Sequence, residues 1–442
     1  MKRFHFQTTG AEFLSARGAA LLADEMGLGK TVQAVDGADG QGAQRVLVIC
    51  KAVGKAHWLR EFAHHSSIDR PGQILHTESW LNSNRSEPLV AAVNYDIVHR
   101  PEVLGQLLDA RWDVLVCDEM HMLKGGVDTR RGQAVLDPGR GLHRTAESVW
   151  GLSGTPAPNH VGELHPWLRA LHPDLLEQYG VLEQEAFINR FVVHTKTQFG
   201  IRPMGTRDAD TLRELLASVM LRRKRRDVLP QLPDLVIDDM PLDHDMGRKM
   251  IAQASNLADE QAMLLRILDT DPDLDDLIAL DDLGLSALRR LTGLAKTPAV
   301  AEYVRQELEG HDKIVVMAWH RDVIENLARD LAGFNPVVLH GSTPDADKET
   351  AEARFQDDPQ HRVFIGQILT AGTTITLTAA HRMILAEWSW SPDDNEQAIL
   401  RILRIGQNRK CRVTFAGLAG SLDEAVMRVY TRKAQAIAEA LD

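Results

Sequence analysis

In the stretch LLADEMGLGKTVQA an apolar run ends in a turn containing Gly27 and Gly29, and Lys30 and Thr31 follow at once, ahead of helix-compatible residues. Binding a polyphosphate demands this order of residue types. Glycines let backbone N–H groups curve around the phosphates, and the N-terminus of the next helix adds positive potential. Lys30 can then reach the outer phosphates, and the Thr31 hydroxyl can ligate Mg²⁺. The strict pattern carries another glycine at position 24, where this chain has Asp24, so a plain turn is the alternative for this motif taken alone.

A second stretch, RWDVLVCDEMH, removes most of that ambiguity. Its apolar run Val114 to Cys117 delivers Asp118 and Glu119 at a strand's carboxyl end, the edge where open α/β sheets bind ligands. Two adjacent acids after a buried strand are costly unless they are used. Asp118 would hold Mg²⁺, directly or through water, and Glu119 would take a proton from the water that attacks the γ-phosphate. Further on, GLSGTPAPN ends another apolar run with Ser153 and Thr155, small hydroxyl residues suited to sensing the γ-phosphate. Gln7, ahead of the phosphate loop, carries an amide able to read an adenine edge. In NEQAILRILRIGQ, the residues Gln397, Arg401, Arg404 and Gln407 are spaced four, three and three apart. On a helix they would share one face, and two arginines with two amides on a face seek phosphates or carboxylates. Such a row could supply an arginine finger; a surface salt-bridge network is the plainer alternative for any one member.

These residues need a scaffold, and the pattern of apolar runs supplies one. In the first half the runs are Ala20 to Ala23, Val46 to Cys50, Val90 to Val93, Val114 to Cys117 and Val149 to Leu152. The second half repeats the theme at Ile314 to Ala318, Val337 to Leu339, Val363 to Ile365, Met383 to Leu385 and Val413 to Ala416. Short β-rich runs separated by helical patterns imply βαβ units and parallel sheets covered on both faces. Two α/β lobes follow. From about Gly162 to Thr297 helical periodicity takes over, which predicts helical insertions between the lobes. That region holds the basic run Arg222, Arg223, Lys224, Arg225 and Arg226, then an acidic stretch from Asp269 to Asp282. A solvated helix face or a localisation-like signal is the plain reading of the first, and a mobile acidic loop that of the second. The final segment opens SLDE, where Ser421 and Glu424 can form a capping box before the apolar face Val426, Val429, Ile437 and Leu441 of a closing helix.

Composition narrows the class. With 442 residues, 44% apolar and 25% charged, the chain has material for two to four domains and is not disordered throughout. Fifty Lys plus Arg against 62 Asp plus Glu leave a net charge of −12, so any nucleic-acid site must be a local patch in an acidic molecule. Cys50, Cys117 and Cys411 lie far apart in apolar stretches without C-x-x-C spacing, which argues for a reducing compartment and against a zinc site. No window approaches the roughly 18 uninterrupted apolar residues of a membrane span, and MKRFHFQTTG lacks a signal peptide's apolar core. The expectation is an intracellular, cytoplasmic protein with no membrane partner.

The order QTTG, DEMGLGKT, VLVICKAVGKAHWLREF, VNYD, DEMH, LSGTPAPN, LRRKRRDVLPQLP, KIVVMAWH, VVLHGST, TAGTTITLTAA and QAILRILRIGQ resembles the Swi/Snf-type ATPases of helicase superfamily 2. The resemblance runs from about Phe4 to about Tyr430. The stretches VMLRRKRRDVLPQLPDL and RRLTGLAKTPAVAEYV look most like the annealing-helicase, fork-remodelling branch. The resemblance implies an α/β fold of two RecA-like lobes with parallel sheets, spanning 1–165 and 298–442, with helical protrusions and a linker over 166–297. It implies ATP and Mg²⁺ as ligands and double-stranded or branched DNA as partner. By position, Gln7 would read adenine, and Gly27, Gly29, Lys30 and Thr31 would hold phosphates and metal. Asp118 would be metal ligand, Glu119 the base, and Ser153 with Thr155 the coupling segment, while Gln397, Arg401 and Arg404 would complete the nucleotide site. DNA phosphates would meet Lys51, Lys55, Tyr95, His340, Ser342, Thr370 and Trp390. The basic run also falls where the family carries an LRR-x-K-x-DV stretch.

Four positions depart from the family: Thr374 where Gly is usual, Leu400 where an acid is, Leu403 where His is, and Ser391 where Asn is. Thr374 would lose glycine's freedom at positive φ. The leading expectation is a DNA-stimulated ATPase that translocates on duplex DNA and remodels forks, junctions or bound proteins. A strand-separating helicase is the second reading, although no wedge element is evident. An ATP-dependent DNA-binding scaffold with weak motor activity is the third, supported by the altered positions. The modest size suggests a minimal motor of bacterial or viral type.

Overall fold

The computed structural model describes residues 3–81, 87–197, 200–230, 232–242, 286–371, 375–390, 392–404, 406–419, 421, 423 and 427. Within these the chain forms two compact units, the first ending at Leu229 and the second starting at Pro230. Thr374, Ser391, the acidic stretch and most of the closing helix lie outside the described residues.

The first unit is built on a seven-stranded sheet in the order β3-β4-β2-β5-β6-β1-β9, every pair parallel. Its strands are β1 (Ala19–Leu22), β2 (Arg45–Cys50), β3 (Gly72–Ile74), β4 (Leu89–Asn94), β5 (Trp112–Asp118), β6 (Ala146–Leu152) and β9 (Met220–Leu221). All six residues of β2 and of β4 are buried, as strands covered on both faces must be. Successive side chains go to opposite sides: Leu47 and Ile49 enter one core with Ala91, Leu115 and Trp167, while Val46 and Val48 enter another with Val114, Val116 and Trp150. Helices α1 (His5–Ser15), α2 (Lys30–Gly40) and α3 (Lys55–His65) supply the second core through Leu14, Ala34, Val35, Trp58 and Phe62. α4 (Pro101–Asp109), α5 (Arg130–Leu136), α6 (His165–Leu171), α7 (Pro173–Gln178), α8 (Gln184–Phe191) and α9 (Ala209–Ala217) supply the first.

The second unit carries a six-stranded parallel sheet in the order β10-β15-β14-β11-β13-β12. These are β10 (Leu235–Leu242), β11 (Ile314–Ala318), β12 (Val337–Leu339), β13 (Val363–Gln367), β14 (Arg382–Leu385) and β15 (Cys411–Leu418). The two α/β lobes with parallel sheets that the sequence implied are therefore present, and every apolar run it singled out lies in or overlaps a strand.

The intervening stretch differs from a purely helical insertion. It contains α6 to α9, but also the antiparallel hairpin of β7 (Val192–Thr197) and β8 (Gly200–Thr206), and the edge strands β9 and β10. β9 has only two paired residues, and β10 carries Asp238 and Asp239 on a half-exposed edge, so neither reads as a buried apolar run. The basic run is likewise not a solvated helix face: Arg222 and Arg223 leave β9, and only the short α10 (Arg225–Val228) is helical. Among the described residues no helix is long and apolar enough to cross a membrane.

Candidate functional site

The first unit gathers its chemistry at the carboxyl ends of β1, β5 and β6. These strands are neighbours, with β6 between the other two, so the turns that leave them open onto one edge of the sheet. β1 ends at Leu22, and α2 begins at Lys30. The turn between them needs left-handed backbone at Gly27 (φ 85°) and Gly29 (φ 73°), which only glycine adopts without cost. Gly29 has a second reason to lack a side chain: a Cβ there would stand 2.6 Å from Gln7 Nε2. No side chain caps the N-terminus of α2. Lys30 Nζ donates to the carbonyls of Asp24 (2.8 Å) and Glu25 (3.4 Å) and so lies across the loop. Gln7, buried on α1, donates from Nε2 to the Leu28 carbonyl at 3.4 Å and accepts from the Phe4 N–H at 3.1 Å. Thr31 follows Lys30 in the first turn of α2.

Asp24, where the strict pattern carries glycine, is fully buried. Arg223 grips both of its carboxylate oxygens, with Nε to Oδ1 at 2.9 Å, and Gln33 Nε2 donates to Oδ2 at 3.1 Å. The departure is accommodated by a partner 199 residues away in sequence.

Asp118 closes β5. Its Oδ2 accepts from Trp58 Nε1 at 2.8 Å, and its backbone carbonyl accepts from the Tyr95 hydroxyl at 2.8 Å. Loss of water, then the charge of Glu119, raise its carboxyl above the ordinary aspartate range; the Trp58 N–H and the Lys30 ammonium oppose that rise. A bound cation would relieve the same strain, so the residues present fit a divalent metal. Glu119 sits at φ 53°, ψ 55°, a left-handed conformation that costs a non-glycine residue of order 1 kcal/mol or more and recurs at functional sites. His121 Nδ1 is 3.4 Å from Glu119 Oε2 and 3.1 Å from Ser153 Oγ, and Thr155 N donates to the same Ser153 oxygen at 3.2 Å. Lys30, the acid pair, Ser153 and Thr155 thus belong to one edge of one sheet.

Other candidates fall elsewhere in their units. Lys51 is half-buried at the end of β2. Lys55 is buried, donating to the Leu75 carbonyl at 3.2 Å and Asn94 Oδ1 at 3.3 Å, and burial lowers its ammonium pKa. Tyr95 is 2% exposed and Trp390 6%, the latter stacked under the Arg289 guanidinium at 5.1 Å. The structure holds Lys55, Tyr95 and Trp390 in the interior, which corrects the expectation that they offer a face to a phosphate. In the second unit His340, Ser342 and Thr370 come together: His340 Nδ1 is 3.0 Å from Ser342 Oγ, and Gln367 Oε1 accepts from Gly341 N (2.9 Å) and Thr370 Oγ1 (3.3 Å).

The row Gln397, Arg401, Arg404 and Gln407 is not one helix face. The helix Pro392–Ile399 stops before either arginine, and the chain turns through Leu400 to Arg404. Arg401 Nε reaches back to the Gln397 carbonyl at 3.1 Å, and Arg404 Nη1 donates to Thr376 Oγ1 at 3.1 Å. Gln407 Nε2 is bound by the carbonyls of Thr378, Ala380 and Ile402 at 2.8 to 3.1 Å, which makes it a clasp of the turn. Leu400 and Leu403 are buried, so apolar side chains suit both of those departures.

Sequence reasoning missed Gln33, Trp58, His121, Arg223 and Gln367 as parts of these arrangements. A signal existed for one of them: an aspartate set between an apolar strand and a phosphate loop requires a cation, and the only concentrated basic run begins at Arg222.

The description SNF2-related domain matches residues 6–244, and Helicase conserved C-terminal domain matches residues 295–406. The chain is similar to the SWI/SNF-related matrix-associated actin-dependent regulator of chromatin subfamily A-like protein 1 of Xenopus tropicalis, 27% identical over 98% of this chain and 44% of that protein. It is also similar to the DNA annealing helicase and endonuclease ZRANB3 of Bos taurus, 28% identical over 100% of this chain and 41% of that protein. The chain therefore spans less than half the length of these relatives. As animal proteins, they lend no support to the expected bacterial or viral origin. Among solved structures, the Sulfolobus solfataricus SWI2/SNF2 ATPase core in complex with dsDNA aligns with a TM-score of 0.46 at 21% identity, covering 100% of this chain and 93% of that one.

Proposed function

The chain belongs to the SNF2-related family of helicase superfamily 2, and from that membership we propose that it is a DNA-stimulated ATPase that travels along double-stranded DNA and remodels forks, junctions or protein–DNA complexes. One observation carries the reading. The glycine-turned loop with Lys30 and the Asp118–Glu119 pair leave the two strands that flank β6 at the same carboxyl edge of one sheet. That combination suits a nucleoside triphosphate with its metal and little else.

In this reading Gln7 contacts the adenine, while the loop amides and Lys30 hold the phosphates. Thr31 and Asp118 would hold Mg²⁺, which would supply positive charge against the outer phosphates. Glu119 accepts the proton of the attacking water. Ser153 and Thr155 report the state of the γ-phosphate through His121, which bonds the acid box to the Ser153 hydroxyl. Gln397, Arg401 and Arg404 are assigned to the nucleotide by their place in the family pattern, with Arg404 as the finger. Lys51, His340, Ser342 and Thr370 remain the candidates for DNA phosphates, because a motor that moves along a duplex cannot depend on base identity. Two relatives at about the same identity carry chromatin-regulator and annealing-helicase names, in keeping with DNA as the track.

The deciding measurement is ATP turnover against a panel of single strand, plain duplex, fork and four-way junction, with triplex displacement on unbroken duplex beside it. Duplex-stimulated turnover with triplex displacement is the expected result. Turnover that is the same with and without every DNA form would overturn the proposal. Stimulation without displacement would leave an ATP-dependent scaffold, and release of a labelled strand from the fork would make it a strand-separating helicase.

A further inference from the structure

Three arginines of the basic run are spent on the phosphate loop. Arg222 Nη1 donates to the carbonyls of Ala23 (3.2 Å) and Gly154 (3.1 Å). Arg223 grips Asp24, donates from Nη2 to Gln33 Oε1 at 2.8 Å, and bonds the Phe6 carbonyl beside Gln7. Arg225 donates its backbone N–H to Glu25 Oε2 at 2.7 Å and Nη1 to the Met26 carbonyl at 3.3 Å. Together with Lys30, these cations take four consecutive loop carbonyls: Ala23, Asp24, Glu25 and Met26. Gln33, held by Arg223, also donates to the Leu28 carbonyl at 3.1 Å, the carbonyl that Gln7 uses. Arg226, by contrast, is exposed, its side chain 76% accessible.

We propose that Arg222, Arg223 and Arg225 are positioning residues that hold the phosphate loop in its nucleotide-binding shape, with the Arg223–Asp24 pair as the fixed point. The inference rests on the nucleotide reading of the loop. A buried carboxylate must be paired and fully hydrogen-bonded, and only a guanidinium supplies two parallel N–H groups together with a third bond to Gln33 and a fourth to Phe6. The pair therefore fixes where the loop starts relative to α1 and α2, and hence where Lys30 and the loop amides stand.

The test uses the full chain with ATP, Mg²⁺ and saturating duplex, and compares Arg223→Lys, Asp24→Asn, the double variant and Lys30→Ala. Lysine keeps the charge but lacks the fork, so Arg223→Lys is expected to raise the KM for ATP about tenfold or more, since a small misplacement of a binding group costs up to roughly 10²-fold. Its kcat should stay within about threefold of the parent, and duplex affinity should not change. Asp24→Asn, which keeps the shape of the side chain, should move KM in the same direction, and the double variant should be no worse than the worse single one, as expected of residues sharing one interaction. Should Arg223→Lys melt early, Asp24→Asn carries the same comparison. A KM within about twofold of the parent in both single variants, additive effects in the double, or lost duplex affinity at unchanged KM would each overturn the clamp. Lys30→Ala separates the two layers: if it loses ATP binding while the Arg223 and Asp24 variants keep theirs, only the clamp falls. If Lys30→Ala binds ATP normally, the nucleotide reading falls and the clamp with it.

Discussion

His121 Nδ1 stands 3.1 Å from Ser153 Oγ, a bond between the turns that follow two neighbouring strands. β5 and β6 pair with Asp118 opposite Leu152, so the acid box and the small-residue turn leave the sheet side by side. The same imidazole nitrogen lies 3.4 Å from Glu119. In the proposed mechanism a change at Ser153 would reach Glu119, the proposed base, through one ring. Replacing His121 by Ala is expected to lower DNA-stimulated turnover roughly tenfold, the equivalent of about 1.4 kcal/mol on the barrier. ATP affinity, measured with a labelled nucleotide, should hold. A stimulated rate equal to the parent's would show that the bond carries no coupling.

Glu119→Gln preserves the size of the side chain and removes its capacity to take a proton. The variant is expected to bind ATP as the parent does and to hydrolyse it about 10²- to 10⁴-fold more slowly, the usual contribution of a general base. Single-turnover hydrolysis separates this from a slowed release of product. Normal hydrolysis in that assay would put the base elsewhere on the sheet edge.

Much of this site is legible one motif at a time. Lys30, Asp118 and Glu119 announce themselves because they follow short apolar strands, AALL in β1 and VLVC within β5, and such strands are readable when both faces are buried. β3, β9 and β10 are not readable in that way, being three residues long, two residues long and acidic at the edge. What no motif shows is which distant segment answers which. The Asp24 carboxylate is satisfied 199 positions away, and His121 meets Ser153 only because β6 happens to neighbour β5. The arginine row failed for a related reason: its three- and four-residue spacing fits a helix, but the chain turns after Ile399, where Gln407 supplies the bonds that hold the turn.

His172, between α6 and α7, gives the first unit a stability that depends on pH. Burial lowers its pKa from the ordinary 6.5 to about 4, and its buried Nε2 has no hydrogen-bond partner. The folded unit therefore prefers the neutral ring, whereas the unfolded chain takes up a proton near pH 6.5. Its contribution to stability is complete above that value and is lost as pH falls toward 4. His143 and His165, also lowered by burial, act in the same sense. Melting of the parent should drop between pH 7.5 and pH 5, and His172→Gln should shrink that drop. An identical drop in the variant would mean that the ring is already charged in the folded protein.

Arg404 Nη1 donates to a neutral partner, Thr376 Oγ1, at 3.1 Å, whereas Gln407 is held by three carbonyls. A guanidinium bonded to a threonine hydroxyl can exchange that bond for a charge-assisted one to a phosphate oxygen, as an arginine finger must. Arg404→Ala is then expected to reduce kcat by up to about 10³- to 10⁵-fold while KM for ATP changes little, because the finger acts on the transition state and not on the ground state. Arg404→Lys should recover only a small part of the rate, since an ammonium cannot span two oxygens. Thr376→Val removes that hydroxyl while keeping Arg404 and should leave kcat within a few-fold of the parent. Equal losses of nucleotide affinity and turnover in Arg404→Ala, with Thr376→Val just as damaged, would instead make the pair a structural hinge of the turn and assign the finger to Arg401.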